Sequence, residues 1–120
     1  MISIVDDDES VREATKALVR SLGYVADTFA SAEEFLQSGR ARDSSCLITD
    51  VQMPGMNGIE LQSRLIEQGY RLPIIFITAY PEQKTRTRAL DAGAIGFLSK
   101  PFSEESLIKH LAEALPDRSF

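Results

Sequence analysis

The chain has 120 residues with a formal net charge of −5 at pH 7, 43% hydrophobic residues and 26% charged residues. This composition predicts one compact domain with its own core, and the acidic balance argues against binding of nucleic acid or an anionic membrane by this segment. Cys46 is the single cysteine, so no internal disulfide can form, and no apolar run approaches the roughly 20 residues of a membrane span. We therefore expect a cytoplasmic protein.

The first half of the chain alternates strand-like and helical patterns. A first strand is predicted at Ile2–Asp6, and a second, with the weakest pattern, at Tyr24–Thr28. Between them, a helix is predicted over Ser10–Leu22 and ends at Gly23. Ser31 and Glu34 have the spacing of a capping box, which predicts a short helix that ends near Gly39. The apolar period of the first helix predicts one buried face, formed by Val11, Ala14, Thr15, Leu18 and Leu22.

The central segments continue the alternation. Ser45–Asp50 predicts the third strand. Asn57 and Glu60 repeat the capping pattern, so a helix is expected to run from there to about Gln68. Pro73–Thr78 is a continuous apolar run, which is typical of a strand covered on both faces.

The last segments are a weakly anchored helix, a strand and a final helix. Glu82–Ala92 has a helical pattern, but Leu90 is its only large apolar residue, so we expect this helix to be loosely held. Ile95–Ser99 predicts the fifth strand. Ser103 is expected to cap the final helix, which Pro116 would end. Its predicted buried stripe consists of Leu107, Ile108, Leu111, Ala112 and Leu115.

Strict alternation of strands and helices predicts an α/β fold with a doubly wound parallel sheet. In such sheets, binding sites form at the carboxyl ends of the strands. Five polar residues follow or end strands one, three, four and five, and we expect them at one edge of the sheet: Asp6, Asp7, Asp50, Thr78 and Lys100.

Three of these residues are aspartates, whose mutual repulsion favours a bound cation or retained protons. An all-oxygen site suits a hard cation such as Mg²⁺. Alternatively, residues 6–9 form a solvated loop whose acids favour a helix N-terminus, and Asp8 and Glu9 are assigned to that role. Asp50 favours the cation site, because an acid that ends an apolar strand has no simple structural explanation.

For the other candidates, simple structural interpretations stand beside functional ones. Lys100 could be solvated, could pair with Asp50, or could contact a phosphoryl oxygen. Thr78 is by default a strand former, and its hydroxyl matters only if Asp50 carries a phosphoryl group. Phe97 most simply packs against the sheet. The turn-rich loop at 53–58 could present the backbone carbonyl of Gln52 to a metal.

Two further residues, a histidine and a cysteine, belong to types that often bind metals, but their sequence context gives neither a functional role. His110 has no Cys or His nearby in the sequence, so we interpret it as a helix residue and not as a ligand. Cys46 lies in the middle of a strand and is predicted to be a small buried hydrophobic residue.

Four motifs, each at a strand end, together resemble the receiver domain of bacterial response regulators over nearly the whole chain. They are Val5-Asp-Asp7, Asp50-Val-Gln-Met-Pro-Gly55 with Asn57-Gly58, Ile77-Thr-Ala79, and Lys100-Pro-Phe102. The resemblance implies the flavodoxin-like (βα)5 fold of CheY-like domains, with sheet order 2-1-3-4-5. In this family the peptide before Pro101 is usually cis.

The resemblance also implies residue roles. Asp50 corresponds to the phosphorylated aspartate, and Thr78 and Lys100 to the residues that contact the phosphoryl group. Phe97 corresponds to the aromatic residue that changes rotamer on activation. The implied cofactor is Mg²⁺, which Mn²⁺ can replace. Its implied ligands are Asp7, Asp50 and the Gln52 carbonyl, with Asp6 acting through water.

The function implied by the resemblance is a switch in two-component signalling. A sensor histidine kinase would donate a phosphoryl group to Asp50, and the domain would assist its own phosphorylation and dephosphorylation without acting as an enzyme. Segments such as 53–61 and 92–102 most resemble FixJ-type regulators, which usually carry a LuxR-like helix-turn-helix output domain. We therefore expect residues 1–120 to be a receiver excised from a longer transcriptional regulator, which forms a homodimer through residues 82–115 when phosphorylated.

Two alternatives stay open. Asp6-Asp-Asp8 followed by Ser10 loosely matches the opening motif of haloacid dehalogenase-like phosphatases, with Asp6 as nucleophile. That interpretation gives no reason for the loop after Asp50. The second alternative is a pseudo-receiver, which binds partners without being phosphorylated.

Overall fold

The structure is a computed structural model that describes residues 1–115. Its five strands are β1 (Ile2–Val5), β2 (Ala26–Phe29), β3 (Cys46–Asp50), β4 (Ile74–Thr78) and β5 (Gly96–Ser99). Its helices are α1 (Glu9–Ser21), α2 (Ala32–Ser38), α3 (Gly58–Glu67), α4 (Gln83–Asp91) and α5 (Glu104–Ala114), with a short 3-10 turn at Arg40–Arg42. The predicted order of elements is confirmed, except for the 3-10 turn, which no pattern indicated. None of the helices within residues 1–115 has the length and apolar character needed to cross a membrane.

The five strands form one parallel sheet in the order β2-β1-β3-β4-β5, as predicted. From β1 the chain passes to one edge of the sheet at β2, and then returns past β1 to β3. The strand order therefore reverses between β1 and β3. Loops that leave these two strands diverge to opposite faces, which opens a crevice at their carboxyl ends.

The core has two apolar layers, because strands in the middle of a parallel sheet bury both faces. On one face, α1 and α5 cover residues such as Ile4, Ile48 and Ile77. On the other face, α2, α3 and α4 cover residues such as Leu47 and Phe76. Cys46 is fully buried, as predicted, and burial raises the pKa of its thiol to about 12.

The second strand lies further along the chain than predicted. Its pattern suggested Tyr24–Thr28, whereas the structure has Ala26–Phe29, and Val25 is exposed. Phe29 is buried and meets the ring of Phe35 edge-on, with ring centroids 5.2 Å apart. This packing against α2 sets the position of an edge strand whose local pattern is weak.

Two helices bury faces that differ from those their sequence patterns predicted. In α1, Ala14 is exposed and Val19 is fully buried, so the predicted face was displaced. In α5, Ile108 and Ala112 are exposed, and the prediction that they are buried was wrong. The reason is that α5 contacts the sheet mainly through Leu107 and Leu111, one turn apart, with His110, Ala114 and Leu115 half-buried beside them. The predicted stop at Pro116 lies outside the described residues.

Helix starts follow the predicted caps, with one exchange of partners. The side chain of Asp8 accepts hydrogen bonds from the backbone N–H groups of Ser10 and Val11 (2.9 and 3.3 Å), so α1 begins at Glu9, one residue before the predicted start. Ser31 caps α2 by accepting from the N–H of Glu34 at 3.0 Å. The Glu34 carboxylate, however, accepts from the N–H of Ala30, at 3.2 Å, so the predicted capping box is only half formed.

Helix α4 has the sparse anchoring that its sequence predicts. Ala89 is its only buried residue, and Leu90 is half-buried. Glu82 lies at the helix start without a side-chain capping bond. A buried hydrogen bond from Gln62 Nε2 of α3 to the Ala89 carbonyl, 3.1 Å long, ties the two helices together. Few apolar contacts and one such bond make α4 easy to displace.

Candidate functional site

The predicted strand-end residues meet at the carboxyl edge of the sheet. Asp6 follows β1 directly, Asp50 ends β3, and Thr78 ends β4. Backbone hydrogen bonds continue the ladder past the strand ends, from the Val51 N–H to the Ile77 carbonyl (3.1 Å) and from the Lys100 N–H to the Thr78 carbonyl (2.8 Å). The loops after β3 and β5 are therefore held beside β4.

Three aspartates form a compact acidic cluster at this edge. Carboxylate oxygens of Asp6, Asp7 and Asp50 all lie within 4.8 Å of one another. Asp6 is fully buried and Asp50 is 5% exposed, whereas Asp7 is exposed. The cluster arises because β1 and β3 are paired neighbours, so acids at their carboxyl ends are adjacent.

Lys100 bridges the two buried aspartates. Its Nζ lies 3.0 Å from Asp50 Oδ2, to which it donates a hydrogen bond, and 3.0 Å from Asp6 Oδ2. The pairing of Lys100 with Asp50, one of its alternative interpretations, is thus present. Burial by itself would lower the pKa of Lys100, but its contacts with Asp50 and Asp6 outweigh burial and raise it. The ammonium group is therefore charged at neutral pH.

Only one of the two carboxylate oxygens of Asp6 accepts a well-directed hydrogen bond within residues 1–115. Its Oδ1 accepts a hydrogen bond from the Asp8 N–H at 2.9 Å, and Arg12 donates to its backbone carbonyl at 2.9 Å. Its buried Oδ2 receives no well-directed hydrogen bond within residues 1–115; its contact with Lys100 is a charge pair. Burial raises the pKa of Asp6, and the nearby carboxylate of Asp50 adds to this, although the Asp8 N–H and Lys100 oppose it.

These observations fit a hard divalent cation. Three carboxylates face one ammonium group, and one buried carboxylate oxygen lacks a directed partner. The donors are all oxygens, which Mg²⁺ prefers over nitrogen and sulfur. An acidic cluster with a single exposed member also leaves a side open to water and to a phosphate oxygen.

The loop after Asp50 is tied tightly to the site. Asp50 Oδ1 accepts a hydrogen bond from the Gln52 N–H at 3.2 Å, and the Gly58 N–H donates to the Val51 carbonyl at 2.8 Å. The predicted capping box of α3 is complete: Asn57 accepts from the Glu60 N–H at 2.8 Å, and Glu60 accepts from the Asn57 N–H at 3.0 Å.

Gly58 has a role that sequence reasoning missed. A Cβ atom at this position would collide with the backbone carbonyl of Asp50. The sequence pattern indicated only that glycine is compatible with the start of a helix at this position. The available signal was a residue of poor helix propensity at the first helical position, directly after the capping Asn57.

Thr78 and Phe97 lie on the same face of the sheet, on the side of α4. Thr78 is buried, and its Oγ1 accepts a hydrogen bond from the Tyr80 N–H at 3.1 Å. Phe97 is half-buried beside Phe76, with ring centroids 6.2 Å apart. Phe76 precedes Thr78 by two residues in β4, so both side chains point the same way.

His110 and the cis peptide complete the predicted features. The half-buried His110 ring lies against Gly96, with Nδ1 3.6 Å from the Glu113 carboxylate. It belongs to the α5–β5 contact and not to the acidic cluster. The Lys100–Pro101 peptide bond is cis.

A doubly wound parallel sheet, with buried acids and a lysine where the strand order reverses, defines a flavodoxin-like α/β domain. The family model "Response regulator receiver domain" matches residues 2–112. The chain belongs to this family. Receiver domains interact with sensor histidine kinases and bind Mg²⁺ at an acidic pocket, and several regulators related to this chain are transcriptional. The haloacid dehalogenase-like interpretation thereby loses its support.

Individual relatives agree with the family. The chain is 44% identical over 115 residues to the response regulator protein TmoT of Ectopseudomonas mendocina. The aligned region covers 96% of this chain and 52% of TmoT. The solved structure of the response regulator StyR has a TM-score of 0.89 at 44% identity, covering 96% of this chain and 58% of that one. The solved structure of FixJ-N has a TM-score of 0.85 at 32% identity, and the match covers 99% of this chain and 95% of FixJ-N. The chain spans about half the length of the curated relatives that it matches.

Proposed function

We propose that this chain is a phosphorylation-activated switch in which Asp50 accepts a phosphoryl group from a sensor histidine kinase. The observation that carries the proposal is the setting of Asp50. Its carboxylate lies between Lys100 and the Gln52 N–H, within 4.8 Å of the carboxylates of Asp6 and Asp7. A nucleophile is thus placed beside a cation and a candidate metal site.

The chemistry follows from this placement. An oxygen of Asp50 forms a bond to phosphorus while the bond from phosphorus to the donor imidazole nitrogen breaks. The ammonium group of Lys100 offsets negative charge on the phosphoryl oxygens, and the rigid loop holds the nucleophile in line. Asp7, Asp50 and the Gln52 carbonyl would hold Mg²⁺ or Mn²⁺, and Asp6 would act through water. The ion, when bound, supplies further charge neutralisation.

The same groups serve dephosphorylation, in which water attacks phosphorus in line, the bond from phosphorus to the Asp50 oxygen breaks, and inorganic phosphate leaves with Asp50 restored as a carboxylate. The domain assists both reactions on itself and is a switch without turnover of an external substrate. We place it in the cytoplasm, where response regulators generally act, as the receiver part (residues 1–120) of a longer transcriptional regulator. Its sequence relatives include transcriptional regulatory proteins such as TdiR, at 36% identity, and FixJ, at 34%.

Transmission of the switch is proposed to run through β4 and β5. A phosphoryl group on Asp50 offers acceptor oxygens to the Thr78 hydroxyl, which at present accepts from Tyr80. Movement of Thr78 leaves space on the face that it shares with Phe97, and Phe97 turns inward to fill that space. Helix α4, with Ala89 as its only buried residue, then shifts.

Replacement of the acceptor tests the proposal. Asp50→Asn keeps the shape of the side chain but removes the nucleophile, so it is expected to abolish labelling by radioactive acetyl phosphate with Mg²⁺. Asp8→Asn is the matched control, because an amide can still cap α1 and labelling is expected to persist. The labelled residue is then mapped. Labelling of the Asp50→Asn variant at Asp6 would support the phosphatase-like alternative, and no labelling of the unmodified chain would support the pseudo-receiver.

A further inference from the structure

Glu33 makes a contact that the proposed chemistry does not use. It lies in the first turn of α2, and its Oε2 accepts a hydrogen bond from the Met56 N–H, 3.1 Å away and 23 residues along the chain. The same oxygen would lie 2.5 Å from a Cβ atom at Gly55, which has φ +75°. The carboxylate is therefore seated directly against the Gly55–Met56 turn, where only glycine leaves room for it.

This contact holds the middle of the loop that follows Asp50. The ends of the loop are fixed by its own segment, through the bonds from Gln52 to Asp50 and from Gly58 to Val51. Within residues 1–115, the bond from Met56 to Glu33 is the hydrogen bond that ties residues 53–56 to another element. The Met56 N–H stabilises the ionised form and lowers the pKa of Glu33, so the carboxylate is charged at neutral pH.

We infer that Glu33 is a positioning residue for the metal site, because it holds the Gly55–Met56 turn and thereby orients the carbonyl of Gln52. The inference rests on the proposed role of that carbonyl as a ligand. Gln52 lies between the anchored Asp50 and the anchored Met56, and the neighbouring Met53 side chain is buried, so release of the turn loosens the Gln52–Met53 peptide without freeing it entirely. Residues that orient metal ligands without touching the metal commonly affect its affinity strongly.

Three variants of the 120-residue chain test the inference. Glu33→Ala removes the acceptor. Glu33→Gln retains an oxygen that can accept from Met56 and is the conservative rescue. Glu34→Ala is the matched control, because Glu34 is an exposed acid in the same first turn of α2 whose carboxylate accepts, within residues 1–115, from the Ala30 N–H alone. Both alanine variants lose a favourable charge at the helix start, but only Glu33→Ala loses a contact with the loop.

The readouts are Mg²⁺ binding by calorimetry and the rate of labelling by acetyl phosphate over a range of Mg²⁺ concentrations. For Glu33→Ala, we expect the half-saturating Mg²⁺ concentration to rise on the order of tenfold. The rate at saturating Mg²⁺ should change little, because Asp50 and Lys100 are untouched. Glu33→Gln should recover most of the affinity, and Glu34→Ala should match the unmodified chain.

The outcomes separate this inference from the proposed function. Equal half-saturating Mg²⁺ concentrations for Glu33→Ala and the unmodified chain overturn the inference. If Glu34→Ala raises this concentration as much as Glu33→Ala does, the effect is a general one of α2 and the inference is also overturned. Absence of any Mg²⁺ binding by the unmodified chain overturns it as well. Suppose that the unmodified chain binds Mg²⁺, that only Glu33→Ala binds it more weakly, and that Asp50 is never labelled. The inference then stands and the proposed acceptor role fails.

Discussion

At the site, the choice of residue at some positions is limited by nearby backbone atoms as well as by charge. The Cα of Gly58 lies so close to the Asp50 carbonyl that a methyl group cannot be added without movement of the β3–α3 connection. Backbone atoms on both sides of the contact leave no flexible side chain to give way. This restriction keeps the phosphoacceptor candidate and the start of α3 in a constant relation.

Gly58→Ala is therefore expected to reduce both stability and labelling. Overpacking of this kind costs roughly 1–3 kcal/mol in the free energy of unfolding, measured by urea denaturation. Gly39→Ala is the control, because nothing lies within 4 Å of a Cβ there and only its left-handed backbone, φ +75°, is penalised. That penalty is about 1 kcal/mol. Normal labelling of Gly58→Ala would show that the loop adapts and that the close approach is unimportant.

Asp7 is the exposed member of the acidic cluster, and its removal separates metal binding from folding. Asp7→Ala is expected to weaken Mg²⁺ binding and slow labelling, because one carboxylate ligand is lost. In the presence of a chelator, the variant should be at least as stable as the unmodified chain, since repulsion with Asp6 and Asp50 is relieved. Thermal unfolding with and without Mg²⁺ measures both effects. Labelling of the unmodified chain that is insensitive to the chelator would contradict a role for metal.

At the scale of elements, α4 differs from the other long helices in how little holds it. Its side chains are mostly exposed, and Gln62 of α3 supplies a buried hydrogen bond to its last turn. The sequence predicted the weak apolar anchoring, but it did not predict this bond, which joins residues 27 positions apart. The bond ties the last turn of α4 to α3.

Replacement of Gln62 should loosen α4 selectively. Gln62→Met keeps the volume but removes the donor, so the loss is about 1 kcal/mol for the hydrogen bond. Hydrogen exchange of the amides of residues 83–92 is expected to become faster, while α3 and the sheet keep their protection. Gln68→Met, at the exposed end of α3, is the control and should leave exchange unchanged. Unaltered protection of α4 in Gln62→Met would show that Ala89 alone anchors it.

On the scale of the whole molecule, charge and exposure favour the face formed by residues 82–115 as a contact between copies. Helix α4 carries the exposed Arg86, whereas α5 begins with Glu104 and Glu105; Lys84 and Arg88 instead border α3 beside Glu60. The opposite charges of Arg86 and the two α5 glutamates lie on exposed residues, so two copies can pair them across a two-fold axis. Ile108, which the sequence pattern wrongly placed in the core, is 40% exposed and offers an apolar side chain to such a contact.

A beryllofluoride mimic of the phosphoryl group is expected to convert the chain to a homodimer, as measured by sedimentation. Thr78→Ala should suppress this response, because it removes the hydroxyl that senses the mimic. Ile108→Glu should prevent dimerisation yet leave Asp50 labelling intact. Val25→Glu is its control, since Val25 is 71% exposed and lies beside β2, at the opposite edge of the sheet from β5. An unchanged association state, with unchanged amide spectra for residues 79–100, would refute this route.

Local pattern determined much of this protein. Alternation with periods of 2 and 3.6 residues predicted the strands and helices, and the parallel topology then placed Asp6, Asp50 and Lys100 at one edge. Caps at Asn57 and Ser103 were visible because their partners lie three residues away. The periods and caps depend on neighbours within a turn or a strand, and the shared edge follows from the strict alternation of strands and helices, so sequence alone specifies them.

Only the tertiary structure decided the features that depend on distant partners. The position of β2 follows from the packing of Phe29 on Phe35, and the exposure of Ile108 follows from how α5 lies on the edge strand. The contact of Lys100 with both aspartates joins residues 50 or more positions apart, and the seat of Glu33 against Gly55 depends on a turn in another element. No local period encodes such contacts, because they arise only when separate elements are brought together in the folded chain.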